Sequence, residues 1–198
     1  VLVAGDEVLA LWEAGSPFRL DRDSLATLGV RTFRKDLAGM PFLAHPRIEP
    51  SGRIWNLGQR GGKAFIWRLS PGGVLEEGRA ITLPAASYLH DFTATDRHLV
   101  IVLQPWLYEE ERLPVVDGLR WRPERGTRVL VIDKTDLAAQ RVFELPPFFF
   151  FHLGDAWKER DGTIRFDGCF ERDPSFAAEG ARLLLQGRYL RSELPEQT

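Results

Sequence analysis

The sequence has 198 residues, of which 44% are hydrophobic and 27% are charged, and this composition is ordinary for a globular protein. The formal net charge is −2, so the chain lacks the excess of basic residues with which nucleic-acid-binding proteins contact phosphates. Cys169 is its one cysteine, which excludes a disulfide framework and a cysteine-based zinc site. No apolar run is long enough to cross a bilayer. We expect one domain over residues 1–198 and a cytoplasmic location, and contact with a membrane surface is left open.

Short strand-like runs, separated by turn residues, recur along the chain. A unit of strand, polar turn and strand occurs three times, with first strands at Phe18–Leu20, Phe65–Leu69 and Val129–Ile132. The second strands are expected near Val30–Phe33, Ala80–Pro84 and Arg141–Pro146. No stretch has the pattern of a long amphipathic helix. Units of this kind in series are typical of β-propeller blades, although any all-β protein has strands at such spacings. We therefore predict an all-β fold.

Three of the four histidines follow short apolar runs, where predicted strands end. They are His45 after residues 40–44, His90 after residues 85–89, and His152 after Phe148–Phe151. Imidazole is the commonest metal-binding side chain at neutral pH, because its neutral ring offers a nitrogen lone pair. One such histidine is more often a hydrogen-bonded core residue, but three at equivalent strand ends favour a shared metal site on the axis of a β-propeller. The fourth histidine, His98, follows a polar turn, and we expect it at the surface.

Four segments of the chain carry a family resemblance, namely Leu9–Gly15, Leu43–Gly58, Tyr88–Thr95 and Phe151–Trp157. The last three contain one histidine each. They resemble, in the same order, the iron–histidine regions of the carotenoid cleavage oxygenases. That family includes apocarotenoid oxygenases, lignostilbene dioxygenases and the retinal pigment epithelial membrane protein. The match extends over most of the chain, and its motifs are specific.

The resemblance implies a seven-bladed β-propeller with a non-haem Fe(II) ion held on its axis by four histidines. It identifies His45, His90 and His152 as metal ligands, and Glu13 as a carboxylate bonded to an iron-bound imidazole. The family's fourth histidine lies near the C-terminus, whereas this sequence has none after His152. We therefore expect the central part of the fold, roughly three to four blades and incomplete at both ends. We expect this chain to be inactive by itself.

The family reaction is the oxidative cleavage of a conjugated carbon–carbon double bond to two carbonyl products. The resemblance thus implies O₂ and an apolar conjugated small molecule, a carotenoid, apocarotenoid or stilbene, as partners. An all-imidazole ligand set leaves coordination positions open for such chemistry. Candidates for an apolar lining are Phe148–Phe151, Trp157, and a predicted loop at Trp106–Tyr108. Because side chains alternate along a strand, about half of these aromatic residues can face the substrate.

Two other interpretations stay open. The chain is a catalytically inactive relic or binding module if three ligands without their surrounding blades bind metal too weakly. In that case its exposed sheet edges would promote self-association. The other alternative is a three-histidine zinc hydrolase, because zinc accepts three imidazoles and a water molecule. This alternative needs a general base, for which the sequence offers no strong candidate. Asp91 and Asp155 stand near the histidines, but they are better explained as turn residues or as hydrogen-bond partners of the ligands.

Overall fold

The structure, a computed structural model, describes residues 1–109, 112 and 115–185, with side chains described up to residue 180. Three of its sheets contain four antiparallel strands each. The first sheet consists of β1 (Leu2–Ala4), β2 (Glu7–Ala10), β3 (Phe18–Leu20) and β4 (Thr27–Val30). The second sheet consists of β5 (Arg47–Ile48), β6 (Ile54–Arg60), β7 (Lys63–Leu69) and β8 (Leu75–Thr82). The predicted all-β fold is confirmed.

The third sheet is interrupted by a small hairpin. The strands of this region are β9 (Thr93–Ala94), β10 (His98–Leu103), β11 (Trp106–Tyr108), β12 (Leu119–Trp121), β13 (Thr127–Asp133) and β14 (Asp136–Leu145). Strands β9, β10, β13 and β14 form the sheet, while β11 pairs with β12 alone. A fourth sheet pairs β15 (Phe149–Lys158) with β16 (Ile164–Glu171), and the helix α1 (Ser175–Leu185) follows. Within the described residues, no helix is both long and apolar enough to span a membrane.

The three predicted strand–turn–strand units are the hairpins β3–β4, β7–β8 and β13–β14. Each hairpin supplies the third and fourth strands of its sheet, so the predicted repeat is confirmed. Strand β4 begins at Thr27, earlier than the expected position near Val30–Phe33. The turn is shorter than expected because the Asp21 carboxylate accepts hydrogen bonds from Ser24, and the Asp21 amide donates to the Ala26 carbonyl.

The hydrophobic core lies between the faces of successive sheets. Strand β10 is buried along its whole length, and its side chains alternate between two of these interfaces. Leu99, Ile101 and Leu103 pack towards the second sheet, whereas Val100 and Val102 pack towards the fourth. A further cluster joins the first and second sheets through Leu9 and Trp67, among others. This stacking of sheets face to face is the arrangement of blades around an axis.

Three expectations about individual elements are wrong. Trp106–Tyr108 is the strand β11 and not a loop, because it pairs with β12 over its whole length. The helix α1 was not expected. Its start is nevertheless typical, because Pro174 precedes Ser175 and the Asp173 carboxylate accepts a hydrogen bond from the Ser175 amide. His98 is 6% exposed and not at the surface. It opens a strand that is covered on both faces.

We expect Gly58→Ala to destabilise the fold strongly. A Cβ atom at Gly58 would overlap the carbonyl group of Pro41. That carbonyl oxygen accepts a hydrogen bond from Trp67 Nε1 at 3.0 Å in the buried core, so it cannot move away freely. Overpacking of this kind costs about 3 kcal/mol. Urea denaturation should show this loss, and Gly62→Ala is the control because its added Cβ has nothing within 4 Å. Equal stabilities of the two variants would contradict the expectation.

We also expect His98 to make stability fall in acid. Thr95 Oγ1 accepts hydrogen bonds from the backbone amides of Arg97 and His98, so its own proton points to His98 Nδ1 at 3.4 Å. Burial lowers the pKa of His98 below its ordinary value of 6.5. The unfolded chain therefore binds more protons once the pH falls below about 6.5, and stability is lost.

The measurement is the free energy of unfolding of the wild type and of His98→Gln from about pH 8 to about pH 5. We expect the wild type to be more stable at the alkaline end, because the glutamine side chain cannot fill the buried site in the same way. The advantage should shrink as the pH falls. A constant or growing advantage would contradict this assignment.

Candidate metal centre

The three strand-end histidines lie where the first strands of three sheets approach one another. His45 stands two residues before β5, and His90 stands three residues before β9. His152 is the fourth residue of β15. Strands β9 and β15 are in contact, and Thr93 Oγ1 donates a hydrogen bond to the Gly154 carbonyl at 2.9 Å. The sheet stacking thus brings histidines that are far apart in sequence to one point.

The imidazole nitrogens have the separation of metal ligands. His90 Nε2 lies 3.2 Å from His45 Nε2 and 3.2 Å from His152 Nε2. All three ligand atoms lie within 4.8 Å of one another. A metal ion about 2.1 Å from two imidazole nitrogens would separate them by about 3.0 Å at a right angle and about 3.4 Å at the tetrahedral angle. The donor set and its spacing therefore fit one first-row divalent metal ion.

Glu13 orients the central ring of this cluster. Its carboxylate lies 2.5 Å from His90 Nδ1 and also accepts a hydrogen bond from the Tyr88 hydroxyl at 3.3 Å. The Tyr88 ring stacks near His90, with centroids 6.2 Å apart. Burial, reinforced by Glu13, raises the pKa of Tyr88 well above its ordinary value, so the hydroxyl keeps its proton. With Nδ1–H donating to Glu13, His90 presents the lone pair of Nε2 to the cluster.

The electrostatics around His45 favour its neutral form. Burial lowers the pKa of His45, and the nearby rings of His90 and His152 lower it further. The field of Asp91 opposes this effect without reversing it. A neutral ring has a free nitrogen lone pair, which a metal ligand needs. The neutral ring of His45 can therefore offer this lone pair to a metal ion.

A buried ion pair beside the cluster is a feature that the sequence analysis missed. Arg47 Nη2 lies 3.0 and 3.1 Å from the two carboxylate oxygens of Asp91, which is 2% exposed. Asp91 also accepts the backbone amides of Phe92 and Leu153, so its oxygens are fully engaged and poorly placed to act as a general base. Asp155 is exposed and lines a second cavity of about 560 Å³. The sequence did contain an indication of this pair, because an arginine and an aspartate, of opposite charge, each follow a predicted ligand within two residues.

The aromatic candidates divide between two environments. Phe149, Phe151 and Trp106 form a chain of ring contacts with centroid distances of 5.0 and 5.4 Å. Phe151 reaches His90 at 5.4 Å, and Trp106 reaches Tyr88 at 5.3 Å, so the chain of rings closes on the histidine cluster. Phe150 instead belongs to the hydrophobic cluster between the third and fourth sheets, and Phe148 packs against that hydrophobic cluster. Trp157 is exposed and donates a hydrogen bond to Glu159.

A cavity of about 650 Å³ lies on the Glu13 side of the cluster. Its wall includes Leu43, Gln59, Tyr88, Leu89 and Tyr108 together with Glu13. The three histidines are not among its lining residues. Tyr88 and Glu13 therefore connect the histidine cluster with this cavity.

The stacked four-stranded sheets and the axial histidines define the class of the protein, a β-propeller with a candidate metal centre. The model of the retinal pigment epithelial membrane protein family matches residues 1–191. The chain belongs to this family. The predicted relationship to the carotenoid cleavage oxygenases is thereby confirmed.

Similar proteins come from several kingdoms. The apocarotenoid-15,15'-oxygenase of Synechocystis is 30% identical over 195 residues, covering 89% of this chain and 39% of the relative. The carotenoid 9,10(9',10')-cleavage dioxygenase of Crocus sativus is 30% identical, and the match covers 80% of this chain and 31% of the relative. Resveratrol cleavage oxygenase 1 of Aspergillus fumigatus is 27% identical, and the match covers 89% of this chain and 37% of the relative. The chain thus spans less than two-fifths of the length of each of these relatives.

Solved structures agree with this assignment. A chimera of the apocarotenoid oxygenase (ACO) and RPE65 superposes with a TM-score of 0.74 at 25% identity, covering 84% of this chain and 38% of that one. The cobalt-substituted Synechocystis ACO also gives a TM-score of 0.74 at 25% identity, and the superposition covers 87% of this chain and 39% of that one. The expected partial β-propeller is confirmed.

The hydrogen bonds assign opposite tautomers to two histidines. His90 should carry its proton on Nδ1, facing Glu13, while His98 should carry it on Nε2 because Nδ1 accepts from Thr95. Nitrogen-15 NMR of the metal-free protein above about pH 8, which is well above the ordinary pKa of an imidazole, distinguishes the two forms. In Glu13→Ala, His90 should become a mixture while His98 is unchanged. A His90 protonated on Nε2 in the wild type would contradict the Glu13 contact.

Proposed function

We propose that the protein is an Fe(II)-dependent dioxygenase that cleaves a conjugated carbon–carbon double bond of a carotenoid, apocarotenoid or stilbene into two carbonyl products. The observation that carries this proposal is the convergence of His45, His90 and His152, in which His90 Nε2 lies 3.2 Å from the Nε2 atom of each of the other two. The proposal includes these histidines as iron ligands and Glu13 as the carboxylate that orients one of them. O₂ is the proposed second substrate.

The names of the relatives support the substrate class. They describe cleavage of apocarotenoids, carotenoids and resveratrol, which have in common a conjugated chain of double bonds next to apolar or aromatic groups. Because the chain spans only part of each relative, the activity is proposed for the protein as a whole. We also propose that residues 1–198 lie in one propeller domain.

The described residues would divide the work as follows. Fe(II), when bound, would supply the redox chemistry that brings O₂ and the alkene together. His45, kept neutral by burial, and the other two imidazoles would hold the ion without cancelling its charge. Glu13 would fix the ring of His90 and raise its basicity. Phe151 and Tyr88 would present apolar ring surface beside the site.

The zinc hydrolase is the weaker alternative. It needs a carboxylate or imidazole free to activate water, and the two described carboxylates nearest the cluster are already bonded. Glu13 bonds to His90 and Tyr88, while Asp91 accepts from Arg47 and two backbone amides. The inactive binding module would have the same fold but would not retain stoichiometric metal.

The test is the metal content of the protein purified anaerobically, with iron and zinc measured together. We expect near-stoichiometric iron in the wild type and loss of iron in His152→Ala, because one of three converging ligands is removed. Glu13→Gln should bind iron about 10- to 100-fold more weakly, which is the usual effect of changing the group that orients a ligand. His98→Gln is the matched control, since His98 lies outside the cluster.

Activity is measured next, with an apocarotenal and a hydroxylated stilbene as substrates and product aldehydes as the readout. We expect cleavage by the iron-loaded protein as a whole and none by its His152→Ala variant, and we expect residues 1–198 alone to be inactive. Stoichiometric zinc with ester hydrolysis would support the hydrolase. A metal-free protein would support the inactive module.

A further inference from the structure

The backbone segments that carry the three histidines are joined by one buried ion pair. Arg47 follows His45 by two residues, and Asp91 directly follows His90. Both side chains bond to the backbone of Leu153, which directly follows His152. The pair therefore contacts each of the three segments immediately beside its ligand.

The contacts of Arg47 use its guanidinium as a planar fork. Nε donates to the Phe92 carbonyl at 2.6 Å, while Nη2 donates to the Asp91 carboxylate and to the Leu153 carbonyl at 3.0 Å. Asp91 accepts the Phe92 amide at 2.7 Å and the Leu153 amide at 2.9 Å. Each side chain thus bonds to backbone groups on two inner segments as well as to the other.

These bonds fix backbone positions and not merely side chains. Peptide groups next to His90 and His152 are held on both their donor and acceptor sides, so sliding of β9 against β15 would break several charge-assisted hydrogen bonds at once. Arg47 anchors the segment of His45 to the same point. A lysine could supply the charge but not the rigid set of donors.

We propose that Arg47 and Asp91 are positioning residues that set the separation of the three imidazoles and so determine metal affinity. This inference rests on the proposed metal-binding function. Neither side chain needs to touch the metal. Small displacements matter here, because the two separations of 3.2 Å from His90 Nε2 match a single ion and a shift of about 1 Å does not.

A double variant separates positioning from simple loss of stability. Arg47→Met alone leaves the buried Asp91 charge uncompensated and should destabilise the protein. Adding Asp91→Asn removes that charge and should restore part of the stability, but the contact of Nη2 with both carboxylate oxygens and the bond from Arg47 to Leu153 stay lost, and one backbone amide loses its acceptor. If the pair were only structural, metal affinity would recover together with stability. We expect it to stay low.

The metal readout is the affinity for cobalt(II) added alone, with its visible absorption spectrum reporting coordination geometry. Cobalt is a suitable probe because one similar solved structure is a cobalt-substituted enzyme. We expect the double variant to bind cobalt about 10- to 100-fold more weakly than the wild type, with an altered spectrum. The control is Arg97→Met with Asp133→Asn. This arginine–aspartate pair lies outside the histidine cluster, with Arg97 Nη2 2.8 Å from Asp133 Oδ2.

The second readout needs no metal. In the metal-free wild type, nuclear Overhauser contacts between the rings of His45, His90 and His152 should be present, since their centroids lie 4.7 to 5.0 Å apart. These contacts should weaken in the double variant and persist in the control. Wild-type cobalt affinity and intact ring contacts in the double variant would overturn the inference. A wild type that binds no cobalt would overturn the proposed function, while the ring contacts would still decide whether the pair positions the histidines.

Discussion

The packing of apolar side chains on both faces of β10 is the constraint on which the rest of the structure depends. Its leucine and isoleucine side chains contact the second sheet, and its valines contact the fourth. Burial of a strand on both faces forces the neighbouring sheets to stack around it, and their first strands then converge. The histidines lie at those converging ends. The convergence of the histidines is thus a consequence of core packing between the sheets.

Convergence brings polar groups together at the partly buried ends of the strands, and the chain satisfies them with ionic hydrogen bonds. Asp91 is almost completely buried, yet it accepts one guanidinium and two backbone amides. These partners stabilise the observed packing of the inner strands. Any other packing would leave the Asp91 charge unpaired in a buried place. Glu13 has a similar role at the opposite nitrogen of His90, where a carboxylate selects the tautomer.

The environment of the histidines differs on the two sides of the cluster. The Nε2 side is surrounded by the other imidazoles, and the Nδ1 side of His90 meets Glu13 and Tyr88 next to a cavity of about 650 Å³. The ring contacts from Phe151 through Phe149 to Trp106 add an apolar border. The histidine cluster thus has polar partners on one side and apolar ring surface beside it.

The sequence by itself determined the local structure and the ligand types. Alternating apolar runs and polar turns predicted the three hairpins, and the strand-end positions of His45, His90 and His152 predicted their convergence. Only the tertiary structure decided what each face contacts. His98 resembles a surface residue in sequence, but the sheets on both sides of β10 bury it. Likewise, Phe149 and Phe150 are neighbours with the same side chain, and the direction of the strand alone sends one towards the metal centre and the other into a sheet interface. The Arg47–Asp91 pair joins segments far apart in sequence, so it exists only after the sheets have stacked.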